Sequence, residues 1–305
     1  MGRQMKILIA VDGSSYSRMA IEFLASRKTL MRSKPDVQVL NVQWSLPPHP
    51  ARIVGMSVVR DYYADEAEKA LGPARSRLQR AGLSALVRHT VGRPATEIGS
   101  AADKDKVDLL VLGSHGHSAL AGMLLGSVTN EVLVRSSRPT LIVRGKTKKY
   151  PDSLRVGIAI DGSAYGVAAL KYVLRHAQFF GAAPTISLIH VVHSYDLVGI
   201  PSVAGFAPPA FTAAEVRAMQ DKAYEAAMRP VRRTLKNATG AKASEVRLTG
   251  IPSEELTRYA SKKLDVLAMG SHGYGALKGA VLGSVATSLV AHGEVPLLLI
   301  RKGPG

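Results

Sequence analysis

The stretch "KILIAVDGSSYSRMAIEFL" occupies residues 6–24, and "RVGIAIDGSAYGVAALKYVL" occupies residues 155–174. Each begins as a short apolar, β-rich run, passes through Asp-Gly-Ser and continues with the spacing of an amphipathic helix. Asp12 matches Asp161 at a separation of 149 residues. A strand leading straight into a helix opens a βα unit. Meeting it twice in 305 residues predicts two copies of one α/β domain.

Working outward, the first copy alternates strands at residues 6–11, 37–42, 86–90, 107–112 and 140–143 with helices at 15–31, 58–80, 94–103 and 127–135. Runs such as "KILIAV" and "VDLLVLG" are apolar throughout, which implies burial on both faces of a parallel sheet. Five such steps predict a doubly wound domain with strand order 3-2-1-4-5, repeated in tandem. The expected boundaries are residues 1–146 and 154–305, with the polar segment 147–153 as linker. Gly113 matches Gly270 at a separation of 157, so the second copy has gained eight residues. The gain falls after strand two, where "SLPPHPARIVG" (residues 45–55) becomes "DLVGIPSVAGFAPPAF" (residues 196–211). Such loops overhang a site and act as lids, and the longer, more apolar one predicts slower ligand exchange in the second domain.

With 46% apolar and 21% charged residues the composition is globular, and the absence of cysteine rules out disulfides and thiolate metal sites. No signal peptide is evident in the short run before Asp12, and segment 279–300 reads as helix, turn and strand because Ser284, His292, Gly293, Glu294 and Pro296 interrupt it. A cytoplasmic, membrane-free protein is expected. Net charge is +17, with 23 Lys/Arg against 12 Asp/Glu up to Tyr150 and 17 against 11 beyond it. Scattered basic charge of this kind fits a solvated surface or a polyanionic ligand such as a nucleotide.

In an open α/β sheet the ligand sits beyond the carboxyl ends of the strands where their order reverses, between strands one and four here. The loop after strand four follows the pattern Gly-x2-Gly-x9-Gly-Ser, as Gly113, Gly116, Gly126 and Ser127, and again as Gly270, Gly273, Gly283 and Ser284. Glycines reach positive φ and let backbone N–H groups approach a ligand, and the helix opened by the serine attracts phosphate. A single Gly-Ser would read as a turn and an N-cap. Three glycines at one spacing in both copies favour a phosphate cradle. Asp12 and Asp161 read either as turn residues or as ligands of hydroxyls, base or cation. His115 and His272 either reach phosphate or have no task, and no Ser or Asp partner for nucleophilic catalysis is identified.

Other chemistries lack their residues. No Gly-x4-Gly-Lys-Ser/Thr, no Gly-x-Gly-x-x-Gly after strand one and no zinc-binding cluster occurs. Nucleic-acid binding ranks third, since aromatic content is 5% and no recognition motif is present.

On these motifs the chain resembles a tandem universal stress protein of the ATP-binding type. The resemblance implies that the two Gly-x2-Gly-x9-Gly-Ser sets hold ribose and phosphates. It implies that Asp12 and Asp161 contact the nucleoside or a bound Mg²⁺, and that the main chain of Val42 and Val191 meets adenine. A departure lies one residue earlier, where the family often has His and this chain has Asn41 in one copy and His190 in the other. The terminal strands, residues 139–143 and 295–300, should pair within the chain as a pseudo-dimer, with a homodimer of chains as a further option. The function implied is a stress-response regulator that binds ATP in both domains. The alternatives are a slow ATP hydrolase or autophosphorylating enzyme, with Ser127 or Thr129 as acceptor, and a protein-interaction scaffold with vacant sites.

Overall fold

Ile7, Leu8 and Ile9 are consecutive and all fully buried, which a strand allows only with neighbours on both sides and helices on both faces. The computed structural model, describing residues 4–46, 55–115, 125–145, 149–193, 212–238, 242–272 and 282–301, provides both. The first half runs β1 (Lys6–Ala10), α1 (Ser15–Ala25), α2 (Lys28–Arg32), β2 (Asp36–Gln43), α3 (Met56–Arg80), β3 (Ala85–Val91), α4 (Pro94–Lys104), β4 (Leu109–Gly113), α5 (Ser127–Arg135) and β5 (Thr140–Val143). The second repeats it as β6 (Arg155–Ala159), α6 (Ala164–Arg175), α7 (Ala177–Phe180), β7 (Thr185–Val192), α8 (Ala213–Lys236), β8 (Ser244–Thr249), α9 (Pro252–Lys263), β9 (Val266–Gly270), α10 (Ser284–His292) and β10 (Leu297–Ile300).

One ten-stranded sheet carries both halves, in the order β3-β2-β1-β4-β5-β10-β9-β6-β7-β8. Each half is parallel within itself and has the expected 3-2-1-4-5 order. The halves meet where β10 pairs antiparallel with β5, Leu298 opposite Leu141, so the expected pairing of the terminal strands forms within the chain. The core is shared as well: Phe23 of α1 lies 6.1 Å from Phe179 of α7, and Tyr172 of α6 donates its hydroxyl to the carbonyl of Asp108 at 2.9 Å.

The first helix departs from its expected span. It stops at Ala25 and resumes as α2 at Lys28, and between the two Arg27 turns inward and is 1% exposed. Its guanidinium donates to the carbonyls of Pro151 (2.7 Å) and Asp152 (3.3 Å), on the segment between the halves. A buried charge is tolerable only when hydrogen-bonded, and these carbonyls supply the acceptors. The long helices α3 and α8 each contain a proline, Pro73 and Pro230. Each is spanned by an Arg–Glu pair seven residues apart, Arg75 with Glu68 (2.9 Å) and Arg232 with Glu225 (3.1 Å). Among the described residues no helix is long and apolar enough to cross a membrane.

Candidate functional site

The strand order sets the ends of β6 and β9 side by side, and a cavity of about 900 Å³ opens there. Its floor is the chain leaving β6 and β7, with Asp161, His190 and Val191. The inner face of α8 forms one wall, and the opposite end is the start of α10, Gly283 and Ser284. Of the residues singled out in the second copy, Asp161, Val191, Gly270, Gly283 and Ser284 therefore line one cavity; Gly273 lies outside the described residues. In the first half Asp12 follows β1, Val42 and Gly113 lie on β2 and β4, and Gly126 and Ser127 open α5, the matching places; Gly116 lies outside the described residues. The lid loops are described only at residues 45, 46 and 55; segment 196–211 is outside.

Gly126 and Gly283, not the serines, are the N-caps of α5 and α10, and neither makes a side-chain capping bond. Ser127 and Ser284 are the first helical residues and are exposed. The first-turn N–H groups of a helix have no intrahelical acceptor, and a glycine N-cap has no side chain to accept from them. In contrast α1 and α6 are capped by Ser14 and Ser163, whose hydroxyls accept from Ser17 N and from Tyr165 N and Gly166 N.

The glycines act differently from expectation. Gly126 and Gly283 have φ of −64° and −70°, ordinary values, and Gly113 and Gly270 are not among the positive-φ residues. What β4 and β9 need is close packing: a Cβ on Gly113 would lie 2.8 Å from the carbonyl carbon of Tyr16, and one on Gly270 would collide with the Cβ of Tyr165. These two glycines admit the first turn of the strand-one helix, and the positive-φ argument does not apply to them.

Asp12 and Asp161 do serve as turn residues. The Oδ1 of Asp12 accepts from Ser14 N at 3.0 Å, and that of Asp161 from Ser163 N (3.0 Å) and Ser163 Oγ (2.6 Å). Asp161 also lines the cavity. The Asn41 and His190 departure resolves into one function. Asn41 Nδ2 donates to Val11 O at 2.8 Å and His190 Nδ1 meets Ile160 O at 2.7 Å, so a carbonyl at the end of strand one is satisfied in both halves. Facing a carbonyl, Nδ1 of His190 must carry the proton.

For the histidines no Ser or Asp partner for nucleophilic catalysis is identified in the sequence, and the serine that each ring meets in the structure is a buried one. His115 Nδ1 lies 3.1 Å from Ser114 Oγ, and His272 Nδ1 lies 3.1 Å from Ser271 Oγ. Each ring also packs on a tyrosine, Tyr16 at 4.9 Å and Tyr165 at 5.4 Å. Ser114 and Ser271 are 2% and 1% exposed, so they orient the imidazole and are closed to substrate. These partners, with the α8 wall, were missed by motif reasoning. The signal was present in the tyrosine repeated directly after the Gly-Ser-Ser and Gly-Ser-Ala turns.

The sequence profile of the universal stress protein family matches residues 5–144 and again 154–301. The chain belongs to that family. As a tandem universal stress protein it is 26% identical over 313 residues to a universal stress protein of Mycobacterium tuberculosis, covering 98% of each chain. It is 31% identical over 147 residues to universal stress protein YxiE of Bacillus subtilis, covering 46% of this chain and 98% of that one. Among solved structures, a universal stress protein from Archaeoglobus fulgidus superposes with a TM-score of 0.66 at 24% identity, over 98% of each chain, which speaks to fold.

Proposed function

We propose that this universal stress protein is a cytoplasmic regulatory module of the stress response that binds ATP at the strand carboxyl ends of both domains. One observation carries the reading: the 900 Å³ cavity of the second domain runs onto the uncapped N-terminus of α10. A base and ribose fit between β7 and the small residues of α8, and phosphates fit the N–H groups beyond Gly283. Mg²⁺ would arrive on the phosphates of the nucleotide, beside Asp161, since no group of three metal-ligating side chains occurs among the described residues. Binding is favoured over turnover. Thr129, one candidate acceptor, is buried and donates to Gly113 O at 2.8 Å, and the serines beside the histidines are buried.

Equilibrium dialysis of the full chain against labelled ATP with Mg²⁺ tests this. Saturable binding that weakens on Ser284→Glu, which sets a carboxylate at the phosphate end, is the expected result. Absence of binding overturns the reading. Nucleotide extracted from freshly purified protein separates the alternatives, ADP pointing to hydrolysis.

A further inference from the structure

The two domains repeat the phosphate side of the site closely but not the wall built by the long helix. The paired Arg–Glu contacts across Pro73 and Pro230 fix the register between α3 and α8. In that register Tyr63 corresponds to Gln220, Glu66 to Ala223 and Lys69 to Ala226.

In the second domain Gln220 donates its amide to His193 O at 2.9 Å and stands at the cavity margin, while Ala223 and Ala226 leave the wall flat. In the first domain the phenol of Tyr63 is 9% exposed, and its oxygen accepts from Leu46 N at 2.6 Å. The ring therefore lies under the chain leaving β2, on the side where a base would enter. Glu66 and Lys69 pair with each other where the second domain has methyl groups. A ligand base entering the first site must displace a tethered aromatic ring, losing its hydrogen bond and its packing. One entering the second meets open volume.

We propose that the two nucleotide sites are unequal: the second domain holds the base of ATP and the first is restricted by Tyr63, with Tyr63 and Gln220 setting the difference. This rests on the nucleotide-binding reading above and adds to it which domain is the stronger site. Isothermal titration of the full chain with ATP and Mg²⁺ tests it. The wild type should show two classes of site separated at least tenfold in Kd. Tyr63→Gln should tighten the weak class several-fold, and Gln220→Tyr should weaken the tight class at least tenfold, with thermal denaturation monitoring the fold of each.

Two equal sites in the wild type overturn the inequality while leaving nucleotide binding standing. So does a Gln220→Tyr protein that folds and binds unchanged, whatever the behaviour of Tyr63→Gln. No heat and no dialysis signal from the wild type overturns the nucleotide reading itself.

Discussion

Gly113 and Gly270 show how one residue type serves different ends within a single motif. The glycines ending β4 and β9 are packing glycines, because the backbone of Tyr16 or Tyr165 occupies the space of a Cβ. Gly113→Ala or Gly270→Ala should push the first turn of α1 or α6 off the sheet at a cost of about 1–3 kcal/mol. Differential scanning calorimetry would record this as a lower Tm without added ligand, and an unchanged Tm would contradict it. Buried phenols make a second residue-scale prediction. Burial pushes Tyr150 up to about 12, and Tyr172 well above the ordinary tyrosine value, also through burial. A group whose pKa is raised on folding stabilises fully below its unfolded pKa of about 10, and this is lost as pH climbs through the folded value. Stability should therefore fall from pH 10 to 12, and phenolate absorbance from these two tyrosines should appear only above that window or on unfolding. Replacing both with Phe should flatten the decline.

At the scale of elements, α5 and α10 are each held at the C-terminal end by the other half of the chain. Arg144, just past β5, donates to the carbonyls of Leu289 (2.9 Å), Val290 and Ala291 (3.1 Å) at the end of α10. Arg301, just past β10, donates to Leu133 O on α5. A cation at a helix C-terminus meets both the orphan carbonyls and the negative end of the dipole. Burial lowers the pKa of Arg144, yet a guanidinium keeps its charge, so the carbonyls supply the solvation that water has lost. Arg144→Met should cost about 2–4 kcal/mol, since it strands these carbonyls in the interior. Urea denaturation gives the magnitude. Hydrogen exchange should quicken first at the last turn of α10; uniform quickening along the chain would argue against a local cap.

At the scale of the molecule, the β5–β10 ladder and the aromatic contact across it turn two repeats into one sheet. A chain ending at residue 146 would leave the β5 edge bare, with buried Leu141 and Ile142 on either face and Phe23 uncovered. Unpaired apolar edges recruit a partner. Such a chain should self-associate at micromolar concentration in analytical ultracentrifugation, and adding Arg or Lys at Leu141 should suppress this or unfold it. A stable, soluble monomer would show that the inter-half contacts are dispensable.

The sequence by itself determined the α/β class, the duplication, the strand order and which strand ends frame the cavity of the second half. These rest on local periodicity and on repetition, both visible in a linear string: β5 and α5 fall at the residues expected, and Asp161, Val191, Gly270, Gly283 and Ser284 converge as the topology requires. The tertiary structure alone decided what those residues do. Whether Gly270 faces a ligand or a helix depends on Tyr165, more than a hundred residues earlier, and the acceptors that let Arg27 be buried are carbonyls at 151 and 152. The same holds for Arg144 and Arg301, which as sequence are only basic residues after a strand. Burial and hydrogen bonding are properties of what packs alongside, and that is set by the three-dimensional arrangement of segments distant in the chain.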